Sequence, residues 1–117
     1  MPHFILDLSP PVVTLVRPDA LMHAVHDTAD ASGLFAKGDI KVRIRKYKQY
    51  LVGGAQQDFI HVFGYIMEGR MAEQKKALSV AIVTRLKELL PSVPVISMNV
   101  MEFEKATYTN RTMVQPG

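Results

Sequence analysis

Hydrophobic positions in this chain come as short runs separated by two longer stretches of helical spacing. His3 to Asp7 is a run of strand length, closed by Ser9-Pro10-Pro11, where two prolines remove two ladder donors. Arg17-Pro18-Asp19 reads as a helix start, with proline in the first turn and an acid where the helix dipole favours it. Leu21, Ala24, Val25, Thr28 and Ala29 continue that helix face, and Gly33 ends it. Lys37-Gly38-Asp39 predicts a turn, and Ile40 to about Val52 a second strand, broken by Gly53-Gly54. Asp58 to Met67 is aromatic, β-branched and apolar on both faces, as a central strand requires. Glu68-Gly69-Arg70 is a short loop. Met71 to Leu90 is the best helix: Ala77, Leu78, Ala81, Ile82, Leu86 and Leu89 form one face, and Glu73, Lys76, Thr84, Lys87 and Glu88 the other. Pro91 and Pro94 stop it, and Val95 to Phe103 is a fourth strand. The polar tail, Thr107 to Gly117, is expected to be mobile or to serve contacts between chains.

The order is β-α-β-β-α-β. Phe4 to Ile40 spans 36 residues, and so does Phe59 to Val95, which implies two βαβ units of equal length, each a parallel pair joined by a crossover. The expected class is α+β: a four-stranded mixed sheet with both helices on one face. Its other face is left bare although the strands are apolar on both sides, so a second copy of the chain is the expected cover.

Composition narrows the picture. With 117 residues, 48% of them hydrophobic, residues 1–117 are read as one domain that buries an ordinary core. The chain has no cysteine, which removes disulfides, thiolate metal sites and cysteine nucleophiles. No apolar run is long enough to span a membrane, and the start of the chain lacks the basic region of a signal peptide, so a cytoplasmic protein without a membrane partner is expected. Fourteen Lys+Arg against eleven Asp+Glu give +3. An acidic small molecule satisfies such an excess as well as nucleic acid does.

Three places could carry chemistry. Pro2 follows the initiator methionine directly; once that methionine is trimmed, residue 2 is a free secondary amine at the start of an anchored strand. An α-amino group titrates near ~7.7–8.0, lower in apolar or cationic surroundings, and the neutral amine is a competent general base. With Met1 retained, the same nitrogen is an amide and no base. Lys41, Arg43 and Arg45 alternate onto one strand face, and with Lys46 and Lys48 place five of fourteen basic residues within eight positions. That pattern is either a solvated strand face or an anion clamp, in which arginine supplies a planar fork and lysine a point charge. Arg70 lies between a central strand and a helix N-terminus, where backbone donors favour anions. His23 and His26 are spaced i,i+3 beside Asp27 and Asp30, but without a third distant ligand no metal is expected. His61, inside an apolar strand, reads as a hydrogen-bonded core residue. Nucleotide-binding glycine loops and the serine-hydrolase elbow are absent.

Pro2-His3-Phe4-Ile5, Ser32-Gly33-Leu34-Phe35, and Asp58 through Gly69-Arg70 with its helix together resemble the 5-carboxymethyl-2-hydroxymuconate isomerase family of the tautomerase superfamily. The resemblance runs from Pro2 to about Phe103. It implies a homotrimer packing its sheets around a central axis and catalysis without metal or cofactor. It also implies that the N-terminal proline moves the proton while arginines hold the substrate's carboxylates. Position by position, Pro2 matches the base and Arg70 the arginine after the third strand. The family's second-strand arginine falls on Lys41, with Arg43 two residues further on the same face. The C-terminal segment is short against the family pattern.

The expected activity is therefore keto–enol or allylic isomerisation of an unsaturated 2-hydroxy or 2-oxo (di)carboxylic acid. Pro2 and Arg70 are the expected catalytic residues, with Lys41 and Arg43 on the carboxylates, and the small acid and further copies of the chain are the only partners expected. Two alternatives stand beside it: an inactive binding oligomer of the same fold, and an RNA-binding αβ module. The second lacks the basic–aromatic strand signature, and its aromatic strand, Phe59 to Tyr65, reads as buried.

Overall fold

The computed structural model describes residues 1–116. Its strands are β1 (His3–Leu8), β2 (Lys41–Lys46), β3 (Phe59–Met67) and β4 (Val95–Phe103). The helices are α1 (Val12–Leu15), α2 (Pro18–Ala31) and α3 (Ala72–Leu89), with short 3-10 turns at Lys37–Asp39 and Arg111–Met113. The sheet order is β2-β1-β3-β4: the central pair runs antiparallel, and each edge strand lies parallel to its neighbour. This is the mixed sheet of two βαβ units that the sequence predicts.

Strand alternation divides the side chains between two faces. Phe4, Leu6, Leu8, Ile60, Val62 and Ile66 are buried in one cluster with Leu21, Val25 and Ala29 of α2 and Leu78, Ile82 and Leu86 of α3. The helical stripe of α3 is narrower than its sequence suggests, because Ala77 and Ala81 are exposed and line a groove against α2. Gly64 lets Phe4 and Met98 approach the backbone of β3; a Cβ there would stand 2.8 Å from the Met98 methyl and 3.3 Å from the Phe4 ring.

The opposite face carries His3, Ile5, Asp7, Lys41, Arg43, Arg45, Phe63, Tyr65 and Phe103. Phe59, Phe63 and Tyr65 are therefore half-buried on the open face, not enclosed as the sequence reading had them. Phe63 stacks on Tyr65 at 6.5 Å between centroids, and Tyr65 on Phe103 at 5.9 Å.

Two further expectations are corrected. β2 ends at Lys46 instead of reaching Val52: Tyr47 N donates to Leu8 O at 3.1 Å, and β1, its partner, stops there as Pro10 and Pro11 turn into α1. Residues 47–57 then turn through Gly53 and Gly54, both at positive φ, around an isolated Val52–Ala55 bridge. The two strand pairs are also not equally spaced. Phe59 faces Val95 as expected, but Phe4 faces Val42, so the first unit is longer by two residues. The described part of the tail carries a helical turn over Arg111–Met113, and Tyr108 lies 5.8 Å from Phe103. Gly117 lies outside the described residues.

Candidate active site

Because β1 begins at His3, the residues before it are carried to one end of the sheet and held there. Pro2 is buried, and its carbonyl accepts from Lys41 N at 3.1 Å, adding a rung to the β1–β2 ladder. The Met1 amine, 3.5 Å from the Asp39 carboxylate, stands at a cleft of about 220 Å³ lined by Met1, Leu34, Phe35, Ala36, Asp39, Met67 and Arg70. Burial lowers the pKa of this amine, and Lys41 lowers it further; Asp39 opposes the shift and Arg70 adds to it. The surroundings thus favour the neutral, proton-accepting form.

Arg70 forms the opposite wall. It follows β3 in the loop where Gly69 takes φ +113°, a conformation that side chains rarely adopt. Its guanidinium reaches back to donate from Nη2 to the Leu34 carbonyl, and its Cζ lies 5.6 Å from the centroid of the Phe35 ring. Phe35 in turn meets Phe4 edge-on at 6.1 Å. The loop bearing Leu34 and Phe35 is shaped by Gly33 at φ +74° and by Ser32, whose hydroxyl donates to Ala29 O and accepts from Leu34 N. A cation is thereby fixed facing the cleft by an aromatic ring and a carbonyl, and among the described residues no carboxylate forms an ion pair with it.

The strand cations separate. Lys41 stays beside the amine, its Nζ donating to Asp39 O at 2.6 Å. Arg43 lies in a second cleft, on the open face, lined by His3, Ile5, Arg43, Tyr65 and Phe103. Its Nη1 donates to His3 Nδ1 at 3.0 Å, so the His3 proton sits on Nε2. Arg45 is paired with Asp7 at 2.8 Å, and Tyr47 also donates to Asp7 at 3.0 Å. Pro2, Lys41 and Arg70 are thus gathered at one end of the sheet, with Arg43 apart from them and Arg45 already ion-paired.

The histidines take other roles. His61 stands half-exposed on the open face, between Ser97 at 2.6 Å and Asn99 at 2.7 Å, instead of in the core. His23 contacts the Asp19 carbonyl and His26 the Asp27 carboxylate, and among the described residues no group of three potential ligands could hold a metal. A larger cleft, about 390 Å³ between α2 and α3, is lined by alanines and leucines with Thr28, Ser32 and Gln74 and carries no titratable group. Chemistry collects at the smaller one.

Sequence reasoning did not single out Phe35, Asp39 or Met67 as cleft residues, nor the approach of Asn110, whose Nδ2 lies 4.0 Å from Met1 Sδ. The one available signal was Gly33, which marks a turn able to bring Leu34 and Phe35 across to Arg70.

The sequence profile of the 5-carboxymethyl-2-hydroxymuconate isomerase family matches residues 2–116. The chain belongs to this family. It is accordingly an isomerase. A search of curated proteins finds no match. Among solved structures, a 5-carboxymethyl-2-hydroxymuconate isomerase from Deinococcus radiodurans superposes with a TM-score of 0.82 at 22% identity, covering 94% of this chain and 88% of that one. A 5-carboxymethyl-2-hydroxymuconate delta-isomerase gives 0.78 at 14% identity, over 100% and 95% of the two chains. A fused 4-OT described as a symmetric trimer gives 0.66 at 18% identity, over 89% and 87%. At these identities the superpositions speak for the fold, and the profile for the family. Among the described residues, no helix of this isomerase is long and apolar enough to cross a membrane.

Proposed function

We propose that this isomerase is a cofactor-independent tautomerase acting on an unsaturated 2-hydroxy or 2-oxo dicarboxylate, with the nitrogen of Pro2 as its acid–base group once Met1 is removed. The observation that carries the reading is the amine end of the chain, seated on a cleft whose opposite wall is the exposed side of the Arg70 guanidinium. The neutral Pro2 nitrogen accepts a proton from the substrate's enol oxygen or acidic carbon, leaving a dienolate. The resulting prolinium returns that proton to a carbon further along the conjugated system, and atoms and charge balance without any other reagent. Arg70 holds one carboxylate and opposes the charge of the dienolate, while Lys41 supplies a second cation beside the amine. Arg43, in its separate cleft, is assigned to the distal carboxylate of a longer substrate.

The open sheet face supports assembly. Phe63, Tyr65 and Phe103 lie stacked against one another, where a single-stranded RNA binder would present rings free to receive bases. Packing this face against two further copies as a homotrimer buries those rings and encloses the His61–Ser97–Asn99 bonds.

The test joins intact mass with activity. The active protein is expected to lack Met1, to convert a phenylenolpyruvate-type enol to its keto form, and to lose turnover on N-terminal acetylation or in Arg70→Ala. Full turnover with a blocked or methionine-bearing terminus would overturn the proline mechanism.

A further inference from the structure

The fold brings its two ends together at the site. Beyond β4, Lys105 N donates to the Glu68 carboxylate, Tyr108 N donates to Glu104 O at 3.2 Å, and the Arg111–Met113 turn closes with Met113 N on Asn110 O at 3.1 Å. These contacts place half-buried Asn110 against Met1, 109 residues away in sequence. The orientation of its amide is fixed. The Asn110 oxygen accepts from Thr112 N at 3.1 Å and from Thr112 Oγ1 at 2.8 Å; because a backbone N–H can only donate, the atom it meets must be the oxygen. The amide nitrogen therefore points the other way. Among the described residues it meets only the Met1 thioether at 4.0 Å, a weak acceptor for a strong donor.

That partner is the side chain whose removal frees Pro2. Trimming Met1 takes the sulfur away and leaves two N–H donors facing the space that its side chain filled, the same methionine that lines the cleft with Arg70. A half-buried donor that has lost its partner favours a ligand that supplies an acceptor. Resting on the proline reading, we propose that Asn110 is a substrate-contacting residue, donating to the 2-oxo or 2-hydroxy oxygen of the acid. On that oxygen negative charge accumulates as the dienolate forms. Arg70 then neutralises carboxylate, Asn110 holds the enolate oxygen, and Pro2 carries the proton.

The test uses the full-length, methionine-trimmed protein with phenylenolpyruvate as probe. Asn110→Asp keeps an acceptor for both Thr112 donors but replaces the donor by a carboxylate; Asn110→Ser keeps a short capping oxygen and is neutral. We expect kcat/KM to fall about a hundredfold in Asn110→Asp, in the range for loss of one enolate-directed donor, and less in Asn110→Ser. The acid limb of the Asn110→Asp pH profile moves to higher pH, because an anion beside the amine favours its protonated form. A role confined to folding would lower the melting temperature of both variants without moving that limb, and would overturn the proposal. So would kcat/KM within twofold of the parent in both. Failure of the underlying reading appears instead in the unmodified protein, as no turnover or as turnover that survives acetylation, and it removes this proposal too.

Discussion

Phe35 is the residue whose replacement most directly tests how the cleft holds its cation. Its ring does two separable things: it lies under the Arg70 guanidinium at 5.6 Å and packs edge-on against buried Phe4 at 6.1 Å. Phe35→Leu keeps an apolar side chain while removing the aromatic face. A cation–π contact is worth about 0.5–1 kcal/mol where exposed and ~2 where desolvated. Phe35 is half-buried, so about 1 kcal/mol is the working figure, roughly fivefold in an equilibrium constant. The loss reaches the substrate through order. Once unsupported, the guanidinium must be immobilised again when a carboxylate binds, although its bond to the Leu34 carbonyl retains part of the alignment. KM for a dicarboxylate should rise about fivefold through weaker carboxylate binding, with a smaller fall in kcat because Phe35→Leu leaves in place the Arg70 charge that opposes the dienolate. Losing the Phe4 contact should separately cost about 1 kcal/mol of stability. Phe35→Tyr preserves the ring and should restore both quantities. Steady-state kinetics with thermal denaturation of the three proteins reads this out. A lowered melting temperature with unchanged KM in Phe35→Leu would refute the reasoning, leaving Phe35 a packing residue alone.

The two remaining predictions concern protonation. The pKa of the Met1 amine is lowered by burial, then by Lys41, with Asp39 opposing and Arg70 adding a smaller contribution. The nitrogen of buried Pro2, exposed by trimming, lies next to it in the chain, so on the proline reading kcat/KM should rise with pH through a limb below the usual α-amino range. Lys41→Ala should move that limb upward, whereas a limb that stays put would separate Lys41 from the proton-transfer step. His3 is held below its ordinary pKa of 6.5 by burial, then by Arg43 and Lys41 and the terminal amine, so the unfolded chain binds its proton more readily. Its contribution to stability is complete above pH 6.5 and is lost as pH falls through the depressed native value. Arg43→Met should make that decline shallower in denaturant titrations between neutral and mildly acidic pH, and an identical decline in both proteins would exclude His3 as its source.

What was legible in the sequence and what was not follow from the range of the interactions. Element types rest on local signals: Pro18 and Asp19 at the start of α2, Gly33 at its end, and the aromatic, β-branched run from Phe59. These survive folding because nothing in the sheet opposes them. The end of β2 is different. Ile40 to Val52 has the composition of a strand throughout, but a strand lasts only while it has a partner, and Ser9-Pro10-Pro11, some 38 positions earlier by the β1–β2 register, decides where that partner stops. The faces of β3 follow the same rule. A strand apolar on both sides in sequence cannot say which side meets the helices, so the aromatic residues first read as enclosed stand on the open face.

The site divides along the same line. Pro2 and Arg70 announce themselves because each sits at an end or a turn next to a regular element, where local chemistry is unusual. Phe35, Asp39 and Asn110 carry no local mark. Each matters through a residue far away in sequence: Phe35 through Arg70, Asp39 through the amine, and Asn110 through Met1. The spread of cations is equally a property of the fold. Strand alternation puts Lys41, Arg43 and Arg45 on one face, but the ladder sets Asp7 opposite Arg45, and the Arg43 side chain reaches the His3 ring, leaving Lys41 beside the amine. One basic ridge in sequence therefore becomes three environments: a cation beside the amine end of the chain, a donor bound to a neutral histidine, and a closed ion pair. The +3 charge is informative at Lys41 and Arg70, where among the described residues no side-chain carboxylate pairs with the cation, leaving a place that a small acid's carboxylate can take.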